Sequence, residues 1–202
     1  MKRGSVTVIS APTMFAGKSD QGESLTREAL LNGMAVVRIS HSIDMRGVDT
    51  PTTSLRHSGL VTQGVHKVAR LDETVDRLVD QAEFVWIDEG QFFEDLCVAV
   101  DRWKSNGKEV VVSGLHLDFR GNPWGNVMKV AAMFPLKAFY YLHADCTECG
   151  KKKCAMHCPR IRESESVVLV GGKDIYRALC EMCFINHERG RLGSSELPTE
   201  TS

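Results

Sequence analysis

Apolar positions along the chain fall into two alternating periods. Short apolar runs, the first rich in β-branched residues, occur at Val6–Ser10 (VTVIS), Met34–Ser40 (MAVVRIS), Phe84–Glu89 (FVWIDE), Lys108–Leu115 (KEVVVSGL) and Lys137–His143 (KAFYYLH). Runs of this length and composition predict buried strands. Between them the spacing shifts to three and four residues. From Lys18 a helix is predicted with Leu25, Ala29 and Leu30 on one face, stopping at Asn32-Gly33. A second covers Leu71–Asp80, with Val75, Leu78 and Val79 inward, and a third runs from Phe92 to Asn106-Gly107. A fourth lies around Val127 to Met133. Strands alternating with helices predict an α/β fold. Its sheet should be mostly parallel, doubly wound by right-handed crossovers and covered on both faces.

Two stretches break the rhythm. Ile43 to Gly64 is polar, contains Gly47, Pro51 and Gly59, and is too long for a plain connection; a functional loop or disorder is expected. At Asp145 the composition turns to Cys, Lys and Gly. A boundary there divides the chain into an α/β domain over 1–144 and a small domain over 145–188. The segment from Arg189 has few apolar groups and is expected to be a disordered tail over 189–202.

With 202 residues, the chain has room for one domain and a small satellite. Its formal net charge of -1 provides no global field to recruit nucleic acid or an anionic membrane. No apolar run is long enough to span a bilayer. Ser5, Thr7 and Ser10 interrupt the first apolar run, so a mature N-terminus is expected rather than a signal peptide. Six of the seven cysteines lie in the last third, and four of them form two CxxC pairs. An odd number of cysteines clustered in CxxC pairs points to metal in a reducing compartment rather than disulfides, with the cytosol as default.

Chemistry concentrates first at Ser10–Asp20, SAPTMFAGKSD. A strand, a turn ending in Gly17-Lys18-Ser19 and a helix form the context of a phosphate-binding P-loop. Backbone N–H groups and the helix N-terminus would cradle phosphate oxygens. Lys18 would reach the β- and γ-phosphates, and the Ser19 hydroxyl a magnesium ion. Pro12 stands where such loops usually begin with glycine. Its fixed φ and missing N–H predict an altered start to the loop, with the close-approach residues around Ala16 to Ser19 intact. Asp88, at the carboxyl end of a buried strand, is the expected Mg²⁺ carboxylate. Glu89 points to the other side and is the candidate general base.

The second concentration is Cys146-x-x-Cys149 with Cys180-x-x-Cys183. Four thiolates complete a closed tetrahedral Zn²⁺ site, which is structural because no position stays open for substrate. Cys154, His157 and Cys158 are alternative ligands by spacing, and the outer pairs are preferred.

PTMFAGKS, DMR at Asp44–Arg46, IDEGQFF, GLHLDFRGNPWG, CTEC, VGGKDIY and CEMC stand in the order found in the cellular-type (type II) thymidine kinases. The chain resembles that family from about Gly4 to Phe184. The resemblance implies a RecA-like P-loop domain with a zinc-binding lasso, and transfer of phosphate from ATP with Mg²⁺ to the 5′-hydroxyl of thymidine in nucleoside salvage. It implies Glu89 as the base. Met14, Phe15, Ala16, Gly17, Lys18, Ser19, Asp88 and Gln91 become the ATP and phosphate residues, and Asp44 and Arg46 a magnesium and phosphate loop. Met14, Phe92, Leu115, Phe119 and Trp124 are implied around the thymine ring, Trp124 being more often phenylalanine in the family. Val167, Leu169, Gly171, Gly172 and Tyr176 would belong to the lasso over the nucleoside, its two ends pinned by the zinc site, and Arg160 matches a lasso arginine. His116 replaces a frequent aspartate and receives no role. Feedback by dTTP and a tetramer follow from the family alone, whereas the expectation of no nucleic-acid or membrane partner rests on the near-zero net charge and the lack of a basic stripe. Two other readings remain: a P-loop ATPase acting on nucleic acid, and a scaffold without catalysis.

Overall fold

The computed structural model describes residues 3–43, 64–161, 172 and 174–195, with side chains to residue 190. In chain order the elements are β1 (Ser5–Ala11), α1 (Lys18–Leu31), β2 (Val36–His41), β3 (His66–Val68), α2 (Glu73–Val79), β4 (Phe84–Asp88), a 3-10 turn (Gly90–Phe92), α3 (Leu96–Ser105), β5 (Glu109–Leu115), α4 (Val127–Met133), β6 (Leu136–Tyr141) and α5 (Glu181–Ser195). The strands form a six-stranded sheet in the order β3-β2-β4-β5-β1-β6. Each pairing in it is parallel. The α/β expectation therefore holds.

The period of two within each strand sorts the core onto two faces. Val85 and Ile87 of β4, Val110 and Val112 of β5, and Val6 and Val8 of β1 pack with α2, α3 and α4 through Val75, Val79, Leu96, Val100, Trp103 and Val130. The alternate residues Phe84, Trp86, Val111 and Ile9 pack with Ala29 of α1. Burying one fully enclosed aliphatic or aromatic side chain contributes about 1.5–3 kcal/mol, so this two-faced core dominates stability. Helix α1 lies especially close to the sheet. A Cβ at Gly22 would come within 2.2 Å of the Trp86 ring, so only glycine fits there. Arg38 of β2 secures the same corner, paired with Glu23 and placed 4.9 Å over the Trp86 ring.

Three details depart from the sequence reading. Leu78, expected inward on α2, is 38% exposed, whereas Val75 and Val79 are buried. A seven-residue helix turns too few side chains onto the sheet to bury all three. Strand β3 was missed because His66–Val68 has no apolar alternation; its pairing with β2 makes it a strand. The tail expected to begin at Arg189 is instead helical to Ser195. Once α5 has nucleated, each added residue gains a backbone hydrogen bond, and composition does not register that.

Beyond β6 the chain forms a small ladder of isolated bridges: Ala144 with Ala155, His157 with Leu179, and Arg160 with Tyr176. The last two of these antiparallel pairs tie the stretch after Cys149 to the stretch before Cys180, so both ends of the intervening segment are held together.

Candidate active site

The carboxyl ends of β1, β4 and β5 carry the site, as parallel open sheets dictate. Strand β1 ends at Ala11, Pro12 follows, and α1 starts at Lys18 after its N-cap Gly17, with φ 82° and ψ 23°. Phe15 also has a left-handed φ of 64°. The tight bending therefore falls at Phe15 and Gly17, beyond the proline. Pro12 and Thr13 are buried at the strand exit, where the loss of one N–H costs no helix bond. No side chain caps the α1 N-terminus.

Lys18 is buried at 7% exposure, and its charge acts on Asp88. The Ser19 hydroxyl donates to Oδ2 of Asp88 at 3.3 Å. Oδ1 of Asp88 accepts from Ser113 Oγ at 2.6 Å and from the Glu89 backbone N–H at 3.0 Å. Burial pushes the Asp88 carboxyl above its usual range and the neighbouring Glu89 charge pushes it further; the Ser113 bond and Lys18 oppose this. A carboxylate held this way gains from a cation, and a serine hydroxyl stands beside it, so the pair fits magnesium.

Ser113 was not anticipated. It carries no motif, and only the register of β5 beside β4 places it next to Asp88. Trp86 Nε1 donates to Ser113 Oγ at 2.8 Å, which completes a Trp86–Ser113–Asp88 chain that runs from the core to the half-buried carboxylate.

Glu89 follows β4 in a left-handed conformation, φ 53° and ψ 43°, and starts the 3-10 turn. Gln91 Nε2 donates to Glu89 Oε2 at 2.5 Å. Phe92, on the same turn, meets Trp124 edge-on at 5.2 Å between ring centroids and His41 at 5.6 Å. A second cluster gathers Met14 and Phe119 against Cys158, Ile175 and Tyr176. The Arg160 guanidinium lies 4.0 Å over the Phe119 ring and donates to the Tyr176 hydroxyl at 3.2 Å. Phe119 is presented by the 116–124 hairpin, fixed by the Leu117–Pro123 bridge and by Asp118 accepting from the N–H groups of Arg120 and Asn122 at 2.8 Å each. Leu115 is nearly buried, at 8% exposure. The expected pocket residues Met14, Phe119 and Tyr176 thus share one cluster, and Phe92 and Trp124 form another. Gly172 is described, its N–H donating to Asp174 at 3.1 Å. Asp44, Arg46, Val167, Leu169 and Gly171 lie outside the described residues.

His116 lies at the end of β5, its Nδ1 2.8 Å from Ser10 Oγ and its Nε2 3.3 Å from Tyr141 Oη. Burial lowers its pKa, and the Lys18 charge and His143 lower it further, which favours the neutral ring.

The second centre is well defined. The sulfurs of Cys146, Cys149, Cys180 and Cys183 lie within 4.8 Å of one another. Cys149 Sγ is 3.8 Å from Cys180 Sγ. Zn–S bonds of about 2.3 Å in a tetrahedron require an edge of roughly 3.8 Å, so the cluster could hold zinc. Burial raises the Cys146 thiol, yet the N–H groups of Cys149, Cys180 and Glu148 bring it to about 6, towards the thiolate a metal needs. The alternative ligands are engaged elsewhere: His157 Nε2 meets Glu181 Oε2 at 2.6 Å and its ring stacks on Phe184, Cys154 donates to Lys151 O at 3.3 Å, and Cys158 sits in the Tyr176 cluster.

Relatives bear on both centres. Over 188 residues the chain is 30% identical to the thymidine kinase of Fowlpox virus (strain NVSL), covering 93% of this chain and 100% of that one. It is 30% identical to the thymidine kinase of Porphyromonas gingivalis (strain ATCC BAA-308 / W83) over 185 residues, covering 91% and 86%. It is 27% identical to that of Amsacta moorei entomopoxvirus over 186 residues, covering 90% and 98%. The family model described as thymidine kinase matches residues 4–184, spanning both the phosphate loop and the cysteine cluster, and the chain belongs to the thymidine kinase family.

Proposed function

We propose that this enzyme transfers the terminal phosphoryl group of ATP to the 5′-hydroxyl of thymidine. The observation that carries the reading is the convergence of the Lys18-Ser19 turn on Asp88, with Glu89 next in the chain. Phosphoryl transfer asks a protein mainly for positioning and charge stabilisation. Lys18 and the backbone of Met14–Gly17 would hold the phosphates. Ser19 and Asp88 would hold magnesium, which supplies charge neutralisation at the β- and γ-oxygens when bound. Glu89 would accept the 5′-hydroxyl proton as the 5′-oxygen of the deoxyribose bonds to the γ-phosphorus and the bond to the β–γ bridging oxygen breaks, releasing ADP.

Met14, Leu115, Phe119 and Tyr176 would line one part of the base pocket, and Phe92 and Trp124 another. Val167, Leu169, Gly171 and Gly172 remain proposed lasso residues, and Asp44 and Arg46 the proposed magnesium and phosphate loop. In the same reading, 1–144 is the nucleotide-binding domain and 145–188 the lasso domain with a structural zinc. Deoxynucleoside salvage, a cytoplasmic setting, inhibition by dTTP and a tetramer complete it. Among the described residues no helix is long and apolar enough to cross a membrane.

The test is ADP release in ATP and Mg²⁺. Release that depends on thymidine is expected. Hydrolysis stimulated by single-stranded DNA and indifferent to thymidine would transfer the site to a nucleic-acid ATPase, and no release in either case would indicate a scaffold.

A further inference from the structure

Gln91 is one of the few polar residues buried in the α/β core, at 5% exposure. Its carboxamide is held at both ends. The Leu115 backbone N–H donates to Oε1 at 2.9 Å, which leaves Nε2 to donate to Glu89 Oε2 at 2.5 Å. The orientation is forced, because only the carbonyl end of an amide can accept from an N–H. Two glycines make room for it. A Cβ on Gly114 would come within 2.5 Å of Gln91 Oε1, and one on Gly125, where φ is +64°, within 2.5 Å of the Gln91 carbonyl oxygen. Strand β5 and the 3-10 turn therefore hold the amide, while Gly125, just past the 116–124 hairpin, packs against the Gln91 backbone. The residue the amide grips has a left-handed backbone, a conformation that persists only where the surroundings hold it.

We propose that Gln91 is a positioning residue: it fixes the Glu89 carboxylate for proton acceptance and does not itself bind phosphate. This departs from the phosphate-contact role implied by family resemblance, and it rests on the reading of Glu89 as the proton acceptor. The amide donates to one carboxylate oxygen and so restrains the carboxylate torsion. Misplacing a reacting group by about 1 Å can cost on the order of 10²-fold in rate.

The experiment compares Gln91→Glu, Gln91→Leu, Glu89→Gln and the double variant Glu89→Gln/Gln91→Leu in the full zinc-loaded chain. Gln91→Glu keeps an acceptor for the Leu115 N–H but removes the donor to Glu89. Its kcat should fall about 10- to 100-fold. Its affinities for a non-hydrolysable ATP analogue and for thymidine should stay within about threefold, while its melting temperature should fall, because a buried carboxylate then faces Glu89. Adding Gln91→Leu to Glu89→Gln should lower kcat by no more than about twofold further, because a residue acting only through Glu89 has nothing left to act on. Weakened ATP binding with kcat retained would make Gln91 a phosphate ligand and overturn the proposal. A further tenfold loss in the double variant would overturn it too. If Glu89→Gln loses turnover while Gln91→Glu does not, the positioning role alone falls. If Glu89→Gln turns over normally, the proton-acceptor reading has failed first.

Discussion

Ser113 Oγ donates to Asp88 Oδ1 at 2.6 Å while accepting from Trp86 Nε1 at 2.8 Å. One hydroxyl thus joins the indole that packs under α1 to the carboxylate beneath the phosphate loop. Trp86 is buried, so its indole N–H finds no water if the hydroxyl is lost, whereas Asp88 is half-buried.

Ser113→Ala should destabilise the protein by about 1–3 kcal/mol, because it leaves the indole N–H buried without an acceptor. It should also weaken magnesium-dependent activity, since Asp88 loses the bond that orients Oδ1. Urea unfolding and a magnesium titration of turnover check the two effects. Unchanged stability would mean that Trp86 has found another partner.

Asp88→Asn should act oppositely on stability. Burial and Glu89 raise the Asp88 pKa in the folded protein. Between the unfolded pKa and the raised folded one, the native state holds more protons, so stability falls as pH rises through that window and the loss persists at neutral pH. A neutral amide removes the cost. The metal-free variant should therefore melt higher than the parent at pH 7, by a few degrees, and the gap should close in acid. Magnesium should no longer support turnover. A metal-free variant that melts lower than the parent at pH 7 would contradict the sign.

Glu89→Gln should lower kcat by about 10²–10⁴-fold, the usual contribution of a general base, with ATP affinity little changed. Single-turnover kinetics with thymidine and binding of an ATP analogue measure the two separately.

Removing zinc should loosen the segment tied between the two cysteine pairs and leave the sheet folded. The sulfurs brought within 4.8 Å lose the ion that would hold them, whereas the core clusters of the sheet contain none of the four cysteines. Thymidine affinity should drop at least tenfold after chelation, while far-UV circular dichroism keeps most of its helical signal. Calorimetry before and after zinc is restored tests this, and equal affinity in both states would remove the staple role.

Much of the fold was legible because local periodicity reports burial directly. FVWIDE and KEVVVSGL read as buried strands and are β4 and β5, and the alternation of strands with helices implied a parallel sheet. Leu78 and the helical run past Arg189 were misread. In each case the outcome depended on how far a helix extends and what it meets, neither of which a local pattern encodes.

Side-chain identity at short spacing determined the rest of what the sequence alone settles: a Gly-Lys-Ser turn after a strand, an acidic strand end and two thiol pairs. Those signals survive in one dimension because neighbours in the chain supply each motif. Only the tertiary structure decided that Ser113 completes the Asp88 site, that Gln91 grips Glu89, and that the cysteine pairs meet. The Ser113–Asp88 bond, the Leu115–Gln91 bond that orients the amide, and the cysteine cluster join residues on different elements, some far apart in the chain. They arise from strand register and from the close approaches permitted at Gly114 and Gly125, which are properties of packing that no single segment carries.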